Sequence, residues 1–352
     1  MVRARFLFKN ARAFLMIMGS INYNIPGRIC LFGDKVDLLG IPVIAATINR
    51  FFNFEMTIRD DGIVHFLPRD YPEEEESFSI VDTDKVYECS QDVHLKYWHA
   101  SLKSLSLFIE SGQVTGFDAS VGTVDLPIGA GLSTSAVVSV GFIMGLNELF
   151  DLHMSKAEIA EHAYDAEHNI LGIMCGRMDQ YSIAYGGVTF ILTGDEPGVE
   201  VLDVVQLPLV VGDSCEPREA KKVLNRVKRE LENENPVYLD AFEKMHQVVL
   251  EGKENLIKGP NLARLGELMT AQQEQENVIE AATDKLNLLC QVSIENGAYG
   301  AKQMGAGGGG CMVAICPDAE TQRKVAKAID VAGGKSLIID IFNYTEKMQA
   351  GY

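Results

Sequence analysis

The sequence predicts an α+β fold that is divided into two domains. A chain of 352 residues is long for a single hydrophobic core, and its 47% apolar and 23% charged residues are typical of globular proteins. Strand patterns dominate the first part of the chain, whereas long polar helix patterns precede further strands in the second part. The composition changes at GDEPG, near residues 194–198. We therefore expect one domain over residues 19–194 and another over residues 195–352.

The first half alternates between strand and helix patterns. RICLFG and PVIAATINRFFNFEMTIR predict strands, and HFLPRDYPEEEESFSIVD predicts a hairpin with a charged tip. VHLKYWHASLKSLSLFIESG predicts a helix that stops at Gly112, and FDASVGTVDLPIG alternates as a strand does. An apolar and therefore buried helix is expected from Thr134 to about Leu152. The following helix begins with a capping box of Ser155 and Glu158.

The remaining segments complete the α+β pattern. GGVTFILTG and VEVLDVVQLPLVVGD predict strands on either side of the composition change. Long polar helices follow, and GCMVAICP and KSLIIDIF predict the last strands. The sequence shows no internal repeat and no low-complexity segment.

Charge and cysteine content exclude several classes of partner. The formal net charge is −18, which argues against nucleic acid because a phosphate backbone requires a basic surface. The seven cysteines are odd in number and form no C-x-x-C pair, so neither a disulfide framework nor a zinc site is expected, and a cytoplasmic location is the simplest interpretation.

No segment reaches the roughly 18 uninterrupted apolar residues of a membrane helix, so no membrane partner is expected. The first eighteen residues are basic and apolar. We favour an extended start with a second possible start at Met18 over a targeting segment, because Lys9 and Arg12 interrupt the apolar run.

A glycine-rich loop leads into the predicted buried helix in LPIGAGLSTSAVVSVGF, residues 126–142. The first N–H groups of a helix lack partners, and an anion at that end satisfies them and meets the positive end of the helix dipole. Glycine lets the backbone approach phosphate oxygens closely, and Ser133, Thr134 and Ser135 add hydroxyls. A plain glycine turn that caps a core helix fits the same pattern equally well. The phosphate-loop pattern with lysine and the protein-kinase signatures are absent.

A second cluster, KQMGAGGGGCMVAICP, has five glycines within residues 305–310. Such a loop can approach a ligand or another backbone closely. Phosphoryl transfer also requires carboxylates and a cation. The candidates are Asp179 in CGRMDQ, Glu167 in DAEHNILG, and Arg28, Asp34, Lys35 and Asp37 in GRICLFGDKVDLLG. Taken singly, each of these residues fits a surface or salt-bridge role better than a catalytic one.

Taken together, PIGAGLSTSA, CGRMDQ and MGAGGGGC resemble the GHMP kinase superfamily, from about Pro26 to about Phe342. PGRICLFGDKVDLLG and AEHNILGIMCGRMDQ are similar to galactokinase signatures, including the twelve-residue step from Glu167 to Asp179. GAGGGGC is more similar to the glycine cluster of mevalonate kinase. The resemblance implies a two-domain GHMP kinase fold. A ribosomal-protein-S5-like N-terminal domain would pack beside a ferredoxin-like C-terminal domain, with the active site between them.

The resemblance also implies residue roles. Asp179 would orient or deprotonate the acceptor hydroxyl, and Arg28 would stabilise that carboxylate and the transferring phosphoryl group. Ser135 and Glu167 would hold Mg²⁺. The phosphates of ATP would lie on Pro127, Gly129, Ala130, Gly131, Leu132, Ser133, Thr134 and Ser135. The acceptor pocket would include Asp34, Lys35, Asp37, Gly307 and Gly308.

The expected function is that of an ATP- and Mg²⁺-dependent kinase of a small-molecule sugar or sugar acid, as a monomer or homodimer. A galactokinase-like sugar 1-kinase is the first expectation. Asp34 and Lys35 replace the Glu-His pair of galactokinase, and a lysine in the pocket would suit an anionic acceptor, so a uronic acid kinase is the first alternative and a mevalonate kinase the next. A catalytically silent sensor of sugar and ATP is the alternative of another class. A purely structural protein would leave the phosphate loop without a purpose.

Overall fold

The computed structural model describes residues 14–17, 19–68, 72–82, 95–126 and 131–344. Within these ranges the strands form one eight-stranded and one four-stranded sheet. The strands are β1 (Phe14–Ile17), β2 (Ser20–Phe32), β3 (Val43–Ile58), β4 (Ile63–Leu67), β5 (Glu76–Ser79), β6 (Phe117–Val124), β7 (Val188–Leu192), β8 (Gly198–Leu202), β9 (Leu209–Asp213), β10 (Gly300–Gln303), β11 (Cys311–Ile315) and β12 (Lys335–Ile339).

The described helices pack on these sheets. They are α1 (Lys96–Ser104), α2 (Ser106–Glu110), α3 (Thr134–Leu149), α4 (Lys156–Asp165), α5 (Met178–Tyr185), α6 (Ala220–Glu232), α7 (Pro236–Ile257), α8 (Leu262–Val278), α9 (Asp284–Glu295) and α10 (Ala319–Val331), with a π-helical turn at Ala166–Ile170 after α4. Short 3-10 turns lie at Val36–Leu39 and Pro72–Glu74. Among the described helices, none combines the length and the apolar character that a bilayer crossing requires.

The long strand β3 organises the first sheet. Its neighbour β2 pairs with it along most of its length, and the other edge of β3 pairs with β7 at Val43–Ala46 and with β6 further along. The sheet order is β1-β2-β3-β6-β4-β5, with β8 added beyond β7. Strands β4 and β6 are parallel, and the other pairs of this sheet are antiparallel. The predicted hairpin with a charged tip is confirmed as β4 and β5.

The second sheet has the order β10-β11-β9-β12, and all its pairs are antiparallel. Its chain order is strand, helices, two strands, helix, strand, which is the ferredoxin-like arrangement. The predicted α+β fold is confirmed. Two strands were not predicted: β1 at Phe14–Ile17, and β10, GAKQ, which is fully buried although its sequence is half polar.

The predicted buried helix is α3, whose residues face the core over most of its circumference. The capping box of Ser155 and Glu158 is present at the start of α4. The helix predicted to end at Gly112 is interrupted at Leu105 and becomes α1 and α2. All cysteines in the described ranges are free thiols.

The proposed division between residues 194 and 195 lies in the turn between β7 and β8, and it remains a proposal. Strand pairing extends the first sheet to Leu202. The chain also returns to that sheet after β12, where Ile341 bridges Ile48 and Thr47 donates its hydroxyl to the carbonyl of Phe342 at 2.5 Å. The two halves, residues 19–194 and residues 195–344, therefore share an extensive interface, which we call the seam. One cluster of buried apolar side chains runs through both halves.

We predict that Gly145→Ala destabilises the protein. Alanine normally favours a helix over glycine by about 1 kcal/mol, but a Cβ at this position of α3 would lie 1.9 Å from the hydroxyl oxygen of Tyr23. That hydroxyl is fixed by donating to the carbonyl of Gly141 at 2.9 Å. We expect a loss of about 1–3 kcal/mol in the free energy of unfolding, measured with urea.

The control is Gly198→Ala, because a Cβ there meets only Leu192 Cδ1 at 3.8 Å and should change stability by less than about 1 kcal/mol. A Gly145→Ala protein as stable as the wild type would contradict the close packing of α3 on β2.

Candidate active site

The glycine loop reaches the start of α3 at the seam between the two sheets. Gly131 and Ser133 have left-handed backbone angles, with φ of 91° and 61°, and the side chain of Ser133, the N-cap residue of α3, makes no capping hydrogen bond. Leu132 is buried in the core, whereas Thr134 and Ser135 are half-buried. The predicted phosphate contacts at Pro127, Gly129 and Ala130 lie outside the described residues. The helix thus presents the positive end of its dipole without a side-chain cap, which is the arrangement that binds anions.

Asp179 lies in the first turn of α5 and faces this loop. It accepts from Arg28, with 2.8 Å from Nε and 2.7 Å from Nη2, and from the hydroxyl of Ser133. Arg28 is buried, and Nη1 also donates to the carbonyl of Gly131 at 3.4 Å. The pairing of β2 with β3 shifts in register between Pro26 and Arg28. The Asp179 side chain keeps 26% exposure, so its carboxylate remains accessible from the seam.

Glu167 belongs to the π-helical turn that follows α4, a feature often found at functional sites. Its carboxylate is buried and accepts from the amide of Gln180 at 2.9 Å. Its pKa is raised to about 7 overall, because burial and the charge of Asp179 raise it by more than the amide of Gln180 and the hydroxyls of Ser135 and Ser139 lower it. The structure therefore brings Ser135 and Glu167 together, as the proposed Mg²⁺ site requires.

The donors near Glu167 suit a hard cation. Mg²⁺ prefers oxygen ligands and is usually held by one or two carboxylates together with phosphate oxygens. The buried Oε1 of Gln180 has no hydrogen-bond partner among the described residues. The described residues contain no cluster of three or more His, Cys, Asp or Glu side chains that could hold a metal ion.

Asp37 lies in the turn Val36–Leu39 and reaches the start of α5, where it accepts from the backbone N–H of Met178. Loss of water raises its pKa to about 7, and the nearby charge of Asp179 contributes to the increase. Three carboxylates thus approach the same region, and two of them, Glu167 and Asp37, have a pKa raised to about 7.

Asp34 and Lys35 take part in a buried charge network across the seam. Asp34 accepts from Lys302 and from the N–H of Gly305, and Lys35 pairs with Glu276 at 2.6 Å. All four charged side chains are buried. Burial alone would raise the pKa of Asp34, but the ammonium groups of Lys302 and Lys35 lower it overall.

The network continues through backbone and amide groups. Lys35 donates to the carbonyl of Gly305 at 2.9 Å, and Gln272 accepts from the N–H of Gly33 at 3.0 Å while donating to Asp34 at 2.9 Å. Asp34 and Lys35, which were predicted to line the acceptor pocket, therefore form their ion pairs with residues of the C-terminal half.

Gly307 and Gly308 contact the backbone of their own half. A Cβ on Gly307 would lie 2.2 Å from the carbonyl oxygen of Ala281. The N–H of Gly308 donates to that carbonyl at 2.8 Å, and its own carbonyl accepts from Glu219 at 2.7 Å. Of this cluster, Gly305 is the residue that touches Asp34 and Lys35.

Sequence reasoning missed several polar residues at the seam: Gln180, Gln272, Glu276 and Lys302. Gln272 and Glu276 are one helical turn apart on α8, and Lys302 stands in the buried strand β10. A charged residue within a short buried strand is a signal for a buried ion pair, but the sequence does not show that strand to be buried.

The fold and the site define a kinase of two α/β halves, with a helix N-terminus and an Arg–Asp pair at the seam. Residues 99–187 match the GHMP kinases N terminal domain, and residues 253–334 match the GHMP kinases C terminal. The chain belongs to the GHMP kinase family. Members of this family are ATP-dependent kinases, so ATP is supported as the phosphoryl donor.

Individual relatives agree with this assignment. A mevalonate kinase of Pyrococcus abyssi is 33% identical over 90% of this chain and 94% of its own length. A galactokinase of Pyrococcus furiosus is 25% identical over 89% of this chain and 93% of its own length. The crystal structure of Lactococcus lactis galactokinase complexed with galactose has a TM-score of 0.78 and 19% identity, over 92% of this chain and 94% of that one. This structural likeness concerns the fold.

We predict that Lys302→Met destabilises the protein by about 3–5 kcal/mol, because it removes the main counter-charge of the buried Asp34 carboxylate. The double variant Asp34→Asn/Lys302→Met should recover most of this loss. Urea unfolding provides the measurement. Lys258→Met, which breaks an exposed pair with Glu254, should change stability by less than about 1 kcal/mol. A Lys302→Met protein that resembles this control would show that the network does not stabilise the seam.

We predict that Glu167→Gln stabilises the magnesium-free protein at pH 8. The pKa of Glu167 rises from 4.5 to about 7 on folding, so between these values the folded state binds more protons and stability falls as the pH rises. Glutamine remains neutral and should be more stable than the wild type by about 3 kcal/mol at pH 8, with no difference near pH 4. Thermal unfolding at both pH values tests this, with the exposed Glu110→Gln as control. Equal stability of variant and wild type at pH 8 would refute it.

Proposed function

We propose that the chain transfers the γ-phosphoryl group of Mg·ATP to the hydroxyl of a small acceptor at the seam. The observation that carries this proposal is the position of Asp179, held by Arg28 and Ser133 directly beside the uncapped start of α3. Asp179 orients the acceptor hydroxyl and takes its proton, while Arg28 holds that carboxylate in place and faces the transferring charge. Ser135 and Glu167 would hold Mg²⁺, which would neutralise charge on the phosphate oxygens.

We propose mevalonate as the acceptor, in place of the neutral sugar that the sequence motifs favoured. The proposal rests on the mevalonate kinase relative at 33% identity, which exceeds the 25% identity of the galactokinase relative at nearly equal coverage. The glycine cluster GAGGGGC, similar to that of mevalonate kinase, points in the same direction. The ammonium of Lys35 pairs with Glu276 and donates to the carbonyl of Gly305. The expectation that Lys35 would bind the carboxylate of a sugar acid therefore receives no support.

A galactokinase-like sugar kinase is the second candidate. The segment AEHNILGIMCGRMDQ favours it. The two ends of this segment are in contact, because Gln180, next to Asp179, donates to Glu167. A uronic acid kinase is the corresponding variant for an anionic sugar.

A panel of acceptors distinguishes these candidates. Release of ADP from Mg·ATP would be measured with mevalonate, galactose, galacturonate and homoserine. We expect kcat/KM for mevalonate to exceed that of each other compound by at least about tenfold. A larger value for galactose or galacturonate would establish the second candidate. No turnover with any of them, together with ATP binding, would favour the silent sensor.

We predict that Asp179→Asn lowers kcat by about a hundredfold or more, the usual scale for loss of a general base, with ATP binding retained. Asn keeps the shape of the side chain and removes its basicity. Asp151→Asn makes the same chemical change at an exposed position with a φ of 52°, which asparagine tolerates, and should leave kcat unchanged. Near-normal turnover by Asp179→Asn on the best acceptor would exclude Asp179 as the base.

A further inference from the structure

Arg218 reaches the site from the second half of the chain. It lies two residues before α6, in the loop that follows β9. A Cβ built on Gly131 would lie 3.8 Å from Cζ and Nη2 of Arg218, and one built on Gly305 would lie 3.9 Å from the same Nη2. The guanidinium therefore lies within methyl-group contact of both glycine loops, one from each half of the molecule.

Arg218 and Arg28 approach Gly131 from different elements. Arg28 donates to the carbonyl of Gly131, and the guanidinium of Arg218 lies 3.8 Å from the point that a Cβ of residue 131 would occupy. Although Arg218 as a residue remains exposed, partial loss of water lowers the pKa of its guanidinium, and the positive charge of Arg28 lowers it further. Asp179 and Asp213 act in the opposite direction. Two guanidinium groups beside an uncapped helix N-terminus form a site for a multiply charged anion.

The basic residues that follow Arg218 are directed elsewhere. Lys222 pairs with Glu219 at 2.9 Å, and Arg226 donates to the carbonyls of Glu280 and Ile279. Arg218 differs from these basic neighbours because it lies between the two glycine loops. If Asp179 is the base, the phosphoryl group is transferred between the same two loops.

We propose that Arg218 is a catalytic residue that donates to the γ-phosphate of the nucleotide and stabilises its charge during transfer. This proposal rests on the proposed function of the same site. An arginine supplied by the same chain stabilises the charge of the transferring phosphoryl group in other phosphoryl-transfer enzymes.

The test separates this role from the identity of the acceptor. Calorimetry would measure the affinity of the full-length protein for Mg·ADP and for a non-hydrolysable Mg·ATP analogue, with no acceptor present. We expect Arg218→Ala to weaken binding of the ATP analogue about ten- to a hundredfold, the range for loss of a charge-assisted hydrogen bond, and to change ADP binding by less than about threefold. Arg218→Lys should restore part of the difference.

Lys221→Ala is the matched control, because it removes one positive charge from the same basic segment three residues away. It should weaken both nucleotides equally and slightly. An unchanged preference for the ATP analogue in Arg218→Ala would overturn the proposal. A raised KM for the acceptor with unaltered nucleotide affinities would also overturn it, since Arg218 would then bind the acceptor.

Kinetics with the best acceptor of the panel supply a second readout. Arg218→Ala should lower kcat about a hundredfold or more, and millimolar guanidinium ion should restore part of it. If no acceptor is turned over by the wild type, the proposed function fails, while the nucleotide comparison still decides whether Arg218 contacts the γ-phosphate.

Discussion

The buried charge network between Asp34, Lys302, Lys35 and Glu276 is the constraint on which the seam depends. Each ion would be unfavourable alone in the interior, and each is compensated by a partner from the opposite half. The compensation works only in one relative placement of β2 and its following turn against α8 and β10. A shift of a few ångströms would leave buried charges without partners, so the network selects a single register for the two halves.

That register also fixes the proposed active site. Arg28 lies in β2 only six residues before Asp34, and Asp37 lies three residues after it. The same turn that anchors the network therefore places Arg28 against Asp179 and Asp37 against the start of α5. Gly305, which donates to Asp34 and accepts from Lys35, lies beside Arg218. The segment from Arg28 to Asp37 therefore contributes both to the stability of the fold and to the geometry of the site.

The sequence was informative where the signal was local. The buried α3, the capping box of α4, the hairpin β4–β5 and the motifs around Glu167 and Asp179 could all be predicted, because each depends on residues close together in the chain. The buried charge network could not be predicted, because its partners are distant in the sequence: 268 positions separate Asp34 from Lys302, and 241 separate Lys35 from Glu276. For the same reason Lys35 was predicted to face an acceptor, whereas its partner in the structure comes from α8. The acceptor preference also changed, because short motifs shared by several kinases carry less information than identity along the whole chain.

The electrostatics of the seam complement those of Mg·ATP. One wall carries Glu167 and Asp37, whose pKa values are both raised to about 7, first by loss of water and also by the charge of Asp179. The other carries Arg28 and Arg218, whose positive charges oppose each other, and the start of α3 with its uncapped N–H groups. A bound cation compensates the carboxylates of the first wall, and a polyphosphate compensates the positive charges of the second. A ligand that brings both charges at once compensates the whole site, whereas free metal or free phosphate leaves one wall unbalanced. The geometry therefore favours the nucleotide and its cation as a unit, and places the accessible carboxylate of Asp179 between the two walls.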